Sequence, residues 1–218
     1  MKIYSRTGLV IIDTGSVHLF SDSSEKTGYF LWECVIINVT VLSVGTVNSY
    51  RLVQATDIDS PEKTFCAYYL PYMRNKVTSL SLEYEDGFDY FFTDTLDGCS
   101  VGIETTELAT NVYHANAYNC GQYLYNKEKV NLSFAFRRQV EKQNKMIKNQ
   151  SGNNANIISP WNYGHYGEND KYFKTLLYGY RDRFSRRWCF LRQTYNIRNF
   201  ENSWFRWFFP LRGRKKCA

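Results

Sequence analysis

Proline and histidine are scarce in this chain of 218 residues, at four and three copies, and its six cysteines include no Cys-x-x-Cys pair. With so few nitrogen and paired-sulfur ligands, no structural zinc centre is expected, nor any other cofactor. Cys34, Cys66, Cys99, Cys120, Cys189 and Cys217 lie too far apart for the disulfide framework of a small secreted domain, so a reducing compartment is the expected place of action. The opening Met1-Lys2-Ile3-Tyr4-Ser5-Arg6 has none of the apolar core of a secretory signal. The longest apolar run, residues 29–44, is interrupted by Glu33 and Asn38 and is short for a membrane span. It predicts a long buried strand instead. No RNA-recognition signature occurs, so nucleic acid is not the expected partner.

Aromatic side chains are abundant, with 18 Tyr and 15 Phe, and the net charge is +6. The basic surplus gathers after residue 180, where Arg183, Arg186, Arg187, Arg192 and the terminal Arg214-Lys215-Lys216 face few acids. Such a block suits an acidic protein surface, nucleic acid or anionic lipid; its bland alternative is a set of solvated strand positions. Arg186 and Arg187 are the candidate partner-binding residues.

The length fits one domain over residues 1–218, with the basic tail 212–218 expected to be disordered. Strands are predicted at residues 8–12, 29–44 (bending near Asn38), 50–55, 64–70, 88–93, 172–180, 188–195 and 204–211. Turns are expected at residues 57–62 and 85–87. Leu132, Phe136, Val140 and Ile147 fall on one helical stripe, predicting a helix over residues 132–148. Residues 149–159 read as a flexible loop that could border a site. These elements describe an α+β single domain, a largely antiparallel sheet or sandwich with one or two helices packed on it.

The chemistry-bearing stretch is Phe91-Phe92-Thr93-Asp94-Thr95-Leu96-Asp97-Gly98-Cys99-Ser100-Val101, followed by Val112-Tyr113-His114. Residues 99–103 and 111–114 are expected to form a hairpin with residues 104–110 as its loop. Cys99 then faces His114 within hydrogen-bond reach, as a nucleophile needs a base beside it. Thr93, on the preceding strand, is expected to orient the far ring nitrogen of His114. Gly98 leaves backbone N–H groups open to a developing oxyanion. Asn116 could complete a Cys-His-Asn protease arrangement, but two residues along a strand it is as easily a surface side chain, and it is set aside. A buried, inert Cys99 remains the bland alternative.

Phe-Phe-Thr-x-x-Leu-x-Gly-Cys-x-Val with the later Val-Tyr-His resembles the catalytic core of the bacterial toxin glutamine deamidases. That group includes the Burkholderia lethal factor, to which the likeness is greatest. More distant are the catalytic domain of cytotoxic necrotizing factor and the chemoreceptor glutamine deamidase. Ala67-Tyr68-Tyr69-Leu70-Pro71-Tyr72, about twenty residues upstream, resembles the Leu-Pro strand that precedes the motif. The likeness spans about residues 66–116. It departs from the family's Leu-Ser-Gly-Cys at Asp97, whose carboxylate is expected to face solvent or cap the turn, since turned inward it opposes thiolate formation.

The resemblance implies a β-sandwich core flanked by helices, and a thioester mechanism with Cys99 as nucleophile, His114 as base and Thr93 as orienting group. It also implies a toxin or effector acting in the cytosol of a eukaryotic host, whose partner is a protein carrying a reactive glutamine. Candidate partners are a translation-initiation RNA helicase and a Rho-family GTPase. Other Cys/His acyl-transfer chemistry (a transglutaminase or a protease) and a non-catalytic nucleic-acid-binding protein are the alternatives.

Overall fold

A computed structural model describes residues 11–13, 27–41, 45–54, 64–85, 88–126, 128, 131–164, 173–196 and 206–210. The strands are β1 (Ile11–Asp13), β2 (Thr27–Val41), β3 (Gly45–Gln54), β4 (Thr64–Leu70), β5 (Val77–Glu83) and β6 (Tyr90–Thr93). They continue with β7 (Ser100–Thr105), β8 (Ala109–Ala115), β9 (Asn156–Ile158), β10 (Phe173–Arg181), β11 (Trp188–Asn196) and β12 (Arg206–Pro210). Helices α1 (Tyr118–Asn126) and α2 (Leu132–Ser151) and a 3₁₀ turn (Pro160–Tyr163) lie between β8 and β10.

The strands form two sheets, eight in the order β1-β3-β2-β4-β6-β10-β11-β12 and four in the order β5-β8-β7-β9. All pairings are antiparallel except β1 with β3 and β4 with β6. The fold is α+β, as the sequence predicts, with both sheets open. Period-two alternation assigns the inner faces. Leu70, Phe91, Leu177 and Trp188 of the larger sheet meet Leu82, Val101, Val112 and Ile158 of the smaller one in a single apolar core.

Helix α2 covers the outer face of the smaller sheet. Tyr113, Ala115 and Ile147 pack there, and a Cβ on Gly102 would stand 2.5 Å from Ile147 Cγ2. The helix starts at Asn131, whose Oδ1 accepts from the Phe134 N–H, and stops at Gly152, which takes a left-handed conformation with φ 60°. Its inward stripe of Ala135, Val140, Gln143, Ile147 and Ser151 contains one large polar side chain, Gln143, fully buried.

Several boundaries differ from the sequence reading. β5 and α1 are additional elements, and α2 runs three residues past 148. The β7–β8 connection shrinks to residues 106–108, because the polar flanks continue the ladder down to Thr105 opposite Thr110. Residues 149–159 are not an open loop. They finish α2, turn at Gly152 and add β9 to the edge of β7. The expected bend near Asn38 coincides with a register shift between Val35 and Val39. Residues 8–10, the turn 57–62 and the tail 212–218 lie outside the described residues.

Candidate active site

Strands β4 and β6 run parallel and end side by side, with Leu70 paired to Thr93. From there the chain crosses twice to the smaller sheet, through residues 71–76 into β5 and through residues 94–99 into β7. The second crossing is fastened by Leu96, which exchanges backbone hydrogen bonds with Thr175 on β10. Gly98 follows in a left-handed conformation with φ 79°, which a side chain would strain. Cys99 therefore enters β7 at a fixed angle. It is a free thiol only 3% exposed.

Two buried side chains hold the backbone on either side of the sulfur. Gln143 Nε2 donates to the Gly98 carbonyl at 3.0 Å, and its Oε1 accepts from Ser100 Oγ at 2.9 Å. The Tyr163 hydroxyl donates to the Cys99 carbonyl at 2.8 Å. No cis peptide occurs among the described residues, so the Cys99 N–H points opposite to the Gly98 carbonyl and away from α2.

The register of the hairpin pairs Val101 with His114 and Ser100 with Ala115. One step further it sets Cys99 across from Asn116, not His114. Asn116 Nδ2 donates to Cys99 Sγ at 3.4 Å. His114 sits on the same inward face, one diagonal away, and neither ring nitrogen has a hydrogen-bond partner. The expected Cys99–His114 hydrogen bond is absent because the ladder offsets the pair by two residues, about 7 Å between backbones. The Leu70 carbonyl lies near the ring. It is close enough to favour the protonated ring yet short of full hydrogen-bond geometry, and it already accepts from the Asp94 N–H.

Thr93 does not reach His114 by a hydrogen bond either. Its fully buried hydroxyl donates to the Leu177 carbonyl at 3.1 Å and accepts from the Leu177 N–H at 3.3 Å. β6 is too short to carry the ladder that far, and the side chain replaces it. Asn116, set aside in the sequence reading because it could as easily be a surface side chain, is 4% exposed. Asp97 is exposed, as expected, and Arg186 and Arg187 stand exposed on the β10–β11 turn. Arg186 donates to the Glu85 carbonyl at 2.9 Å.

The electrostatics follow from burial. Desolvation pushes the Cys99 thiol up to about 12, against the opposing pull of the Asn116 amide; the Asp97 and Asp94 carboxylates push the same way as burial, and the Asp97 N–H opposes them. Desolvation also lowers the His114 imidazolium to about 4, with the Leu70 carbonyl working against it. At neutral pH the site therefore holds a neutral thiol and a neutral imidazole. Tyr72 partly covers it, its ring centroid 6.0 Å from that of His114. Arg74 at the rim lies 4.4 Å over the Tyr118 ring.

Among the described residues, no group of three His, Cys, Asp or Glu side chains could hold a metal ion, and no helix is long and apolar enough to cross a membrane. Asn116 carried a readable signal, being one strand period from His114. Gln143 carried another, three residues after Val140 and four before Ile147 on the inward stripe of α2. Tyr163 and the Leu70 carbonyl carried none.

No protein-family model matches the chain, and no curated protein does. Among solved structures it is similar to the C-terminal domain of CNFy from Yersinia pseudotuberculosis. That likeness covers 88% of this chain and 74% of the other, at 8% sequence identity and a TM-score of 0.43. A likeness this loose does not assign the chain to a family.

Proposed function

We propose that the chain is a protein-glutamine deamidase with Cys99 as nucleophile and His114 as general base. The observation that carries this reading is the arrangement of side chains around the sulfur. Cys99, His114 and Asn116 share the inward face of one hairpin, and the Asn116 amide donates to the sulfur at 3.4 Å. A structural cysteine in an apolar core needs no such donor. The sequence resemblance to the toxin deamidases supports the choice of a glutamine carboxamide over other acyl groups.

Because both groups rest neutral, the thiol proton passes to His114 as sulfur attacks the substrate carboxamide carbon. The carbonyl electron pair moves onto oxygen, where the Cys99 N–H is a suitable donor. Collapse of this adduct breaks the C–N bond, and ammonia departs with the proton from His114. Water, giving its proton to His114, then attacks the thioester. The S–C bond breaks, sulfur recovers the proton, and glutamate remains. The Leu70 carbonyl is the group that steadies the imidazolium between these transfers.

In this reading the protein is a toxin or effector that acts in a host cytosol, and its substrate is a host protein such as a translation-initiation RNA helicase or a Rho-family GTPase. Loss of a carboxamide there removes two donors and adds a charge, enough to disable a target site. The test is mass spectrometry of a eukaryotic lysate treated with wild type or Cys99→Ser protein. Glutamine-to-glutamate conversion at one site, made by wild type alone, is the expected result. Transfer of an amine to that glutamine would instead identify a transglutaminase.

A further inference from the structure

We propose that the side-chain amide of Asn116 is a catalytic donor that stabilises the Cys99 sulfur as negative charge develops on it. The proposal rests on Cys99 acting as a nucleophile and goes beyond that reading by assigning the group that makes the buried thiol reactive. Its basis is the way the amide is held. Asn116 Oδ1 accepts from the Asn75 N–H at 3.1 Å and from the Tyr118 N–H at 3.0 Å. Two donors on one atom fix that atom as the oxygen, so the nitrogen faces Cys99 Sγ, 3.4 Å away. The Asn116 backbone N–H is tied to the Lys76 carbonyl, and Asn75 Oδ1 accepts from the Asn119 N–H at 2.7 Å. The β4–β5 connection and the start of α1 thus converge on a single amide.

A neutral thiol is a weak acceptor and a thiolate a strong one. The Asn116–Cys99 contact therefore contributes little at rest and strengthens as the proton leaves, which is the differential stabilisation catalysis needs. The other ionisable groups around the sulfur are Asp94 and Asp97 from the approach to β7, Tyr72 from the β4–β5 connection, Tyr163 from the 3₁₀ turn and His114. None is changed in the variants below.

The experiment compares iodoacetamide alkylation of Cys99 at pH 8 in wild type, Asn116→Asp and Asn116→Ala, read by peptide mass spectrometry. Cys120, which is partly exposed, serves as internal reference. Asn116→Asp keeps the acceptor for Asn75 and Tyr118 and sets a carboxylate oxygen against the sulfur. It is expected to slow Cys99 alkylation about tenfold or more relative to Cys120, and Asn116→Ala less. A melting temperature near wild type in Asn116→Asp separates this effect from misfolding. An Asn116→Asp or Asn116→Ala protein whose Cys99 reacts at the wild-type rate or faster overturns the proposal. Alkylation needs no glutamine substrate. A wrong deamidase assignment would therefore show as absent glutamine conversion by wild type, with the Asn116 effect intact.

Discussion

The Thr93 hydroxyl and the Leu177 backbone close the seam between β6 and β10, donating and accepting in one exchange at 3.1 and 3.3 Å. The pair ties the end of β6 to the centre of the larger sheet, directly before the segment that delivers Cys99.

Thr93→Val keeps the β-branched shape and strands two buried backbone groups. It is expected to destabilise the protein by about 1–3 kcal/mol, measured by urea unfolding. Activity per folded molecule should fall far less than in Cys99→Ser. A Thr93→Val protein of unchanged stability and no activity would show that the hydroxyl works on His114 instead.

His114 makes stability depend on pH. Its folded-state value is depressed to about 4 by burial, below the ordinary 6.5. The unfolded chain therefore binds a proton that the folded chain refuses. Stability from this group is intact above pH 6.5, falls as pH drops below it, and levels off near pH 4, for a loss on the order of 3 kcal/mol. Thermal unfolding of wild type across that window should show the decline, and His114→Gln should flatten it. The same depression keeps His114 competent as a base in mild acid, so the acid limb of kcat/KM should lie below pH 6.5.

Gln143 is the buried brace of the Cys99 backbone, and Gln143→Leu removes its bonds to Gly98 and Ser100 without changing volume much. The expected cost is about 2–4 kcal/mol in urea unfolding. The folded fraction should also lose activity through kcat, because Gly98 and the Cys99 N–H are no longer held. A stable Gln143→Leu protein with wild-type kcat would limit Gln143 to filling space.

The sequence carried the α+β class, the β4 and β6 strands and the helix stripe of α2, because alternation and the 3.6 period survive in Thr64–Leu70 and in Leu132, Val140 and Ile147. It also singled out Cys99, Gly98 and His114 by residue type and order. It could not supply their register. A hairpin's pairing depends on where its turn closes, and extending β7 and β8 to residues 105 and 109 set Asn116, rather than His114, opposite the thiol. The partner of Thr93 was equally hidden, since Leu177 lies 84 residues away and contributes only backbone. α1 went unread for a local reason: Tyr118–Asn126 is only nine residues long and mixes Asn, Gly and Tyr, which have modest or poor helix preference.

In the proposed reaction, one thiol and one imidazole convert glutamine to glutamate. Its most direct measurement is the time course of ammonia release and glutamate formation on the target glutamine, for wild type, Cys99→Ser and His114→Gln at equal folded concentration. Turnover by wild type, with no conversion by Cys99→Ser and a loss of at least about a hundredfold in His114→Gln, is the predicted result. Conversion by Cys99→Ser at the wild-type rate would rule out the thiol as nucleophile.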